Sequence, residues 1–172
     1  FDTRSGLAHP AEAIVVVAVQ VAERRILGHA DALDNENAGR MKEAALLTHF
    51  TELADHSPIP ILLYNVPKFT HINMAADFVA RLSEHPNIVG IKDSFANVIQ
   101  LQEILNRTAD DFSVLVGTAG VLFSGLTIGC AGGVCALANV APEACMKIFD
   151  LVKAGDLDAA RKLQLKMIPV NQ

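Results

Sequence analysis

Charge is scarce in this 172-residue chain: Asp, Glu, Lys and Arg make up 19% of it, against 51% hydrophobic residues. A sequence this apolar buries a large core, or buries part of its surface against other copies. Clustered positive charge is absent too. Fourteen Lys and Arg are scattered among nineteen Asp and Glu for a net charge of −5, which argues against nucleic acid or an anionic membrane as the main partner. Cysteines are few and odd in number. Cys130, Cys135 and Cys145 sit in apolar or helical contexts, so they read as reduced thiols rather than a disulfide framework. No bilayer-length apolar run occurs: Ala13 to Ala22 (AIVVVAVQVA) is too short, and no secretory signal pattern is evident. Metal-ligand spacing is lacking among His9, His29, His49, His56, His71 and His85, so solvated or capping roles are expected and no metal site.

What is present is a regular alternation. Met41 to Ala54 has helical spacing, with Ala45, Leu46, Phe50 and Leu53 on one side. SPIPILLYNVP (57–67) is a short apolar run bracketed by prolines, a buried strand ending near Tyr64. Met74 to Leu82 is helical, IVGIKDS (88–94) the next strand and Ala96 to Arg107 the next helix. FSVLVG (112–117) is a strand, AGVLFSGLTIG (119–129) a short helix, and GGVCALANV (132–140) a strand running into a turn. A helix then starts at Pro142 and stops at Gly155, both favoured positions. A last one runs from Leu157 to Met167, before Pro169 breaks it. Residues 1–40 are less legible: a helix leading into a short strand at Ala30 to Leu33, then DNENAGR (34–40) as a polar loop. Alternating strands and helices predict βαβ units on a parallel sheet.

In such a sheet ligands bind at the carboxyl ends of the strands. Those ends carry Tyr64-Asn65, Lys92-Asp93-Ser94, Gly117-Thr118 and the stretch around Val134, all projecting toward one face. Lys92 and Tyr64 terminate consecutive strands, which usually lie side by side. A lysine among apolar strand residues has its charged form disfavoured; as a neutral amine it can attack a ketone and form an imine. A neighbouring phenol can move the protons this requires. The plain alternative is a strand-end lysine paired with an acid beside a packed tyrosine ring. GTAG (117–120) follows a strand and opens a helix, which hints at an anion site. It lacks the full G-x-G-x-x-G pattern of a dinucleotide fold. Cys135 has no evident base beside it and reads as buried filler.

LLYNVP, NIVGIKDS, LVGTAG and GGVCALANV, in that order and spacing, resemble the dihydrodipicolinate synthase and N-acetylneuraminate lyase family of pyruvate-dependent class I aldolases. Within it, SPIPILLYNVP, HPNIVGIKDS and GGVCALANV most resemble the 4-hydroxy-2-oxoglutarate aldolase branch. The resemblance covers residues 41–168. It implies a (β/α)8 TIM-barrel fold, Lys92 as Schiff-base lysine and Tyr64 as proton relay. It also implies substrate contacts from Ser94, Gly117, Thr118 and the backbone near Val134. The activity implied is cleavage of a short 4-hydroxy-2-keto acid to pyruvate and an aldehyde, without metal or organic cofactor.

The sequence departs from the family pattern in places. Nothing in residues 1–40 matches the family's Gly-Thr-Thr-Gly-Glu carboxylate loop, and DNENAG stands where a Pro-x-Tyr-Tyr-like segment belongs. After YNVP, synthases usually carry Gly-Arg, the arginine gripping the second substrate's carboxylate; here the pair is Lys68-Phe69, a point charge without the planar fork. The expectation is therefore one domain over residues 1–172, an incomplete barrel of about its last five βα units. Residues 1–40 form a divergent start and 41–168 the recognisable units. Expected partners are a small 2-keto acid and further copies of the chain, in the cytoplasm or, with a targeting segment upstream, in the mitochondrion. The rival readings are a catalytically impaired fragment acting only through chain association, and a synthase-like condensation.

Overall fold

A computed structural model describes residues 35–171. Four parallel strands, β1 (Ile61–Asn65), β2 (Ile88–Asp93), β3 (Ser113–Val116) and β4 (Gly132–Gly133), form one sheet in the order β1-β2-β3-β4. Before, between and after them run α1 (Asn35–His56), α2 (Pro67–Thr70), α3 (Ala76–Ser83), α4 (Val98–Arg107), α5 (Leu122–Thr127), α6 (Pro142–Lys153) and α7 (Leu157–Asn171). Each strand pairs with its predecessor in the chain, the pattern of successive βα units expected from the alternation.

Helices pack one face of the sheet. Ile61, Leu63, Ile91, Val114 and Val116 meet Val79 and Leu82 of α3 and Leu101 and Ile104 of α4 in a single buried cluster. Phe50 of α1 joins it edge-to-face with Phe78, centroids 6.4 Å apart, so α1 is held by packing rather than by helix propensity alone. At the other end the buried Gln164 side chain staples α7 to the start of α5. Its Nε2 donates to the Ala119 carbonyl at 2.9 Å, and its Oε1 accepts from the Phe123 N–H at 2.9 Å.

Boundaries differ most from expectation at three places. DNENAGR is not a loop: α1 already begins at Asn35. Helical backbone bonds need no apolar side chain, and the lone Gly39 costs only about 1 kcal/mol. Nor does Pro169 end the last helix, which continues to Asn171. A proline removes one bond, to the carbonyl of Leu165, and Leu165 is exposed, where water can replace it. GGVCALANV makes only a two-residue strand. The ladder extends one bond further, Val134 N–H to the Val116 carbonyl at 2.9 Å. A 3₁₀ turn over Ala136–Asn139 then takes the chain away. The strand expected at Ala30 to Leu33 lies outside the described residues, as do the helix before it, His9 and His29.

Candidate active site

Register decides what can meet at the strand ends. Tyr64 pairs with Lys92, Lys92 with Leu115 and Leu115 with Gly132, one row across all four strands. The next row is Asn65, Asp93, Val116 and Gly133. Successive side chains along a strand point to opposite faces. The first row therefore lies on the face away from the helices, where Tyr64, Lys92 and Leu115 are half-buried. Asn65, Asp93 and Val116 lie on the helix side and are buried.

The Lys92 ammonium sits 4.2 Å from the centroid of the Tyr64 ring, a cation–π contact. The sequence expectation that these two residues come together is met. The amine lies over the ring face rather than at the phenolic oxygen. Among the described residues no carboxylate pairs with Lys92.

The other expected site residues are placed unevenly. The Ser94 N–H donates to the Asn65 carbonyl at 2.8 Å, and the Gly117 N–H to the Asp93 carbonyl at 2.7 Å. These bonds carry the ladder just beyond the strands. Ser94 Oγ is buried without a hydrogen-bond partner, pressed against Gly117. Thr118 caps the 3₁₀ turn that follows, its hydroxyl accepting weakly from the Gly120 N–H at 3.4 Å. Val134 is exposed at the end of β4. A cleft of about 400 Å³ opens along β4, lined by Leu115, Gly132, Cys135, Cys145, Met146 and Phe149 among others. It is apolar and touches neither Tyr64 nor Lys92 directly, but it shares Leu115, the register partner of Lys92.

The sequence put Asn65 and Asp93 on one face with Tyr64 and Lys92; alternation along the strands puts them on the opposite, buried face, behind the amine. Asp93 is 1% exposed, as is Asn65. Asp93 Oδ2 accepts from Asn65 Nδ2 at 2.7 Å and from Gln100 Nε2 at 2.9 Å, and Oδ1 accepts from the Phe95 N–H at 2.9 Å. Asn65 Nδ2 also donates to Asn73 Oδ1 at 2.9 Å, and Asn65 Oδ1 accepts from the Met74 N–H at 3.0 Å. A buried carboxylate is tolerable only when saturated with donors, and this one has three. The available signal was a polar residue at the buried-face position ending each of two apolar strands.

All three cysteines are buried and unpaired. Burial pushes the Cys130 thiol up to about 11, with a smaller push from the Asp93 charge. Burial likewise raises Cys135 to about 11; Cys145 adds to the rise and the Lys92 charge opposes it. These are protonated, poor nucleophiles at neutral pH. In the unfolded chain they ionise from the ordinary 9.0, so their contribution to stability is intact below that pH. It is lost as pH rises toward 11, because ionisation then favours only the unfolded chain. Urea midpoints should fall between about pH 8 and about pH 10.5, and Cys130→Ala with Cys135→Ala should flatten that fall.

Among the described residues no group of three or more His, Cys, Asp or Glu side chains could hold a metal ion. No described helix is long and apolar enough to cross a membrane.

Residues 39–172 match the model of the dihydrodipicolinate synthetase family. The chain is 37% identical over 130 residues to the 4-hydroxy-tetrahydrodipicolinate synthase of Thermodesulfovibrio yellowstonii, covering 76% of this chain and 45% of that one. Its fold is similar to the crystal structure of dihydrodipicolinate synthase DapA-2 from Bacillus anthracis, with TM-score 0.72 and 33% identity over 75% of this chain and 44% of that one. It is also similar to YagE from E. coli K12, a prophage protein of the dihydrodipicolinic acid synthase family solved in complex with pyruvate. There the TM-score is 0.71 and the identity 29%, over 74% of this chain and 44% of that one. The chain spans less than half the length of these relatives, and its parallel sheet is an incomplete stretch of their TIM-barrel fold. Its strand-end lysine and tyrosine, its parallel βα order and these similarities together place the chain in the dihydrodipicolinate synthetase family.

Proposed function

We propose that this chain supplies the imine-forming part of a pyruvate-dependent lyase or synthase site. The observation that carries the reading is the Lys92 amine held 4.2 Å from the Tyr64 ring centroid at the carboxyl ends of adjacent strands. The unprotonated amine attacks the ketone carbon of a 2-keto acid, giving a carbinolamine. The carbinolamine takes up a proton at its hydroxyl and expels water, leaving an iminium on Lys92. In this reading the Tyr64 phenol gives and takes these protons once substrate bridges the two groups. Loss of a proton from the adjacent carbon yields an enamine, whose carbon adds to a second carbonyl. In the reverse direction, on a 4-hydroxy-2-keto acid, the C4 hydroxyl gives up its proton, the iminium nitrogen takes the electron pair of the breaking carbon–carbon bond and an aldehyde leaves. The enamine then takes up a proton, and water releases pyruvate and the free amine.

The condensing direction, as in the 4-hydroxy-tetrahydrodipicolinate synthases it resembles, is the better supported. One observation favours the cleaving direction on a small substrate such as 4-hydroxy-2-oxoglutarate. At the position after the YNVP motif the side chains are Lys68 and Phe69, and the Lys68 ammonium rests 5.8 Å over the exposed Phe69 ring. That offers a second carboxylate no planar fork.

Borohydride reduction in the presence of pyruvate tests the imine. The expected product is a covalent adduct localised to Lys92 by peptide mass. Reduction that leaves Lys92 unmodified would sink the proposal. Comparing condensation with cleavage rates on the same preparation then separates the two directions.

A further inference from the structure

We propose that Asp93 is a positioning residue for the Lys92–Tyr64 pair, acting through Asn65 from the opposite face of the sheet. This inference rests on the imine reading for its kinetic arm and on the structure alone for its spectroscopic one.

The geometry is that of a clamp. Asn65 directly follows Tyr64, and Asp93 directly follows Lys92, so each clamp residue shares a peptide unit with one member of the pair. Asn65 and Asp93 are themselves register partners. Their side chains are joined at 2.7 Å, the shortest of the carboxylate's three bonds. Gln100 of α4 fixes the carboxylate from behind, and Asn73 links Asn65 to Gln100, accepting from Asn65 Nδ2 at 2.9 Å and donating to Gln100 Oε1 at 2.7 Å. The Phe95 N–H bond holds the turn leaving β2 to the same carboxylate. Every donor in the set comes from a different segment: β1, α4 and the turn after β2.

Energetics favour a function over mere packing. Burying a carboxylate is costly before its hydrogen bonds offset the loss of water, and an apolar pair of the same shape is often as stable. What the charged arrangement adds is a fixed spacing of the two strand ends. A displacement of about 1 Å in a catalytic group costs on the order of 10²-fold in rate, so the spacing has a kinetic consequence that bulk stability does not report.

Asp93→Asn is the informative change, since it keeps shape while placing an amide against two donors or forfeiting one bond. The double variant Asn65→Asp with Asp93→Asn moves the carboxylate to the other strand. There the amide now carried by β2 can donate across to it while the Met74 N–H is still accepted. In the full chain, Asp93→Asn should lower the adduct-forming rate at saturating pyruvate by about 10²-fold, with half-saturation changed by less than about threefold. The double variant should regain at least about tenfold of that loss.

Tyr64 is the only tyrosine and there is no tryptophan, so tyrosine emission reports the environment of Tyr64 alone. It should change in Asp93→Asn and return in the double variant. If Asp93→Asn does not fold, Gln100→Met, which removes one donor from behind, is measured the same way. Unchanged Tyr64 emission and trapping rate in a folded single variant would overturn the positioning role, as would a double variant without recovery. If the unsubstituted chain forms no adduct, the imine reading fails, and Tyr64 emission still decides the clamp by itself.

Discussion

Lys92→Met is expected to abolish reductive trapping of pyruvate while the chain stays folded. Methionine keeps the length and flexibility of the lysine stem and fills the same half-buried space, but it has no amine. No ion pair among the described residues is broken by the change. Its stability cost should therefore stay within about 1 kcal/mol, as for changes that leave no buried partner stranded. The chemical loss should be at least about 10³-fold, since removal of a covalent nucleophile costs that or more where it has been measured. The check is paired: thermal or urea unfolding for the fold, intact mass and peptide mapping for the adduct. Trapping that persists in Lys92→Met would move the chemistry to another amine, Lys68 being the nearest alternative along the first strand-end segment.

A large structural effect is expected from Gly117→Ala. The sequence suggested Gly117 as a pocket residue beside Thr118. In the structure its essential property is the missing Cβ. A methyl group there would collide with Ser94 Oγ and come within 2.8 Å of the Ser94 Cα and Cβ. The Cα is backbone and cannot swing aside. Relief would require the turn after β3 to separate from the end of β2, straining the bond from the Gly117 N–H to the Asp93 carbonyl. Overpacking of this kind costs about 1–3 kcal/mol, to which a weakened buried hydrogen bond adds about 1 kcal/mol. The urea midpoint should then fall by about 1 M or more, taking a slope of about 2 kcal/mol/M. Because the strain falls two residues from Lys92, whatever imine chemistry the chain performs should slow as well. A midpoint unchanged from the parent chain would mean that the turn yields freely and that Gly117 has no spacing role.

The two rows of side chains across the sheet show what was legible in the sequence and what was not. ILLYN and IVGIKD announce strands by composition, and their positions between helical segments announce a parallel order. Strand-end placement then brings Tyr64 and Lys92 to one edge, because neighbouring parallel strands present equivalent ends. The shared position of these two side chains was readable because it depends only on local periodicity and chain order. Asn65 and Asp93 stand one position further along the same strands, and the sequence grouped them with Tyr64 and Lys92 as strand-end residues projecting toward one face. They are among the most buried polar groups of the protein, because their partners arrive from elsewhere: Gln100 from α4 and Asn73 from the segment ahead of α3. Their hydrogen bonds have no sequence period to betray them.

Element boundaries divide the same way. Asn97 ends the turn after β2 by capping α4, its side chain accepting from the Ile99 N–H at 3.0 Å and the Gln100 N–H at 3.3 Å; such a cap is a local signal. The early start of α1 at Asn35, the passage of α7 through Pro169 and the two-residue length of β4 follow no local rule. By itself the sequence determined the βα alternation and the strand-end lysine and tyrosine, since each follows from composition and spacing over a few residues. Only the tertiary structure decided the register that pairs Lys92 with Tyr64, the buried clamp behind them and the close approach of Gly117 to Ser94. These depend on contacts between segments far apart in the chain, where hydrogen-bond saturation and steric fit select one arrangement from many that the sequence alone allows.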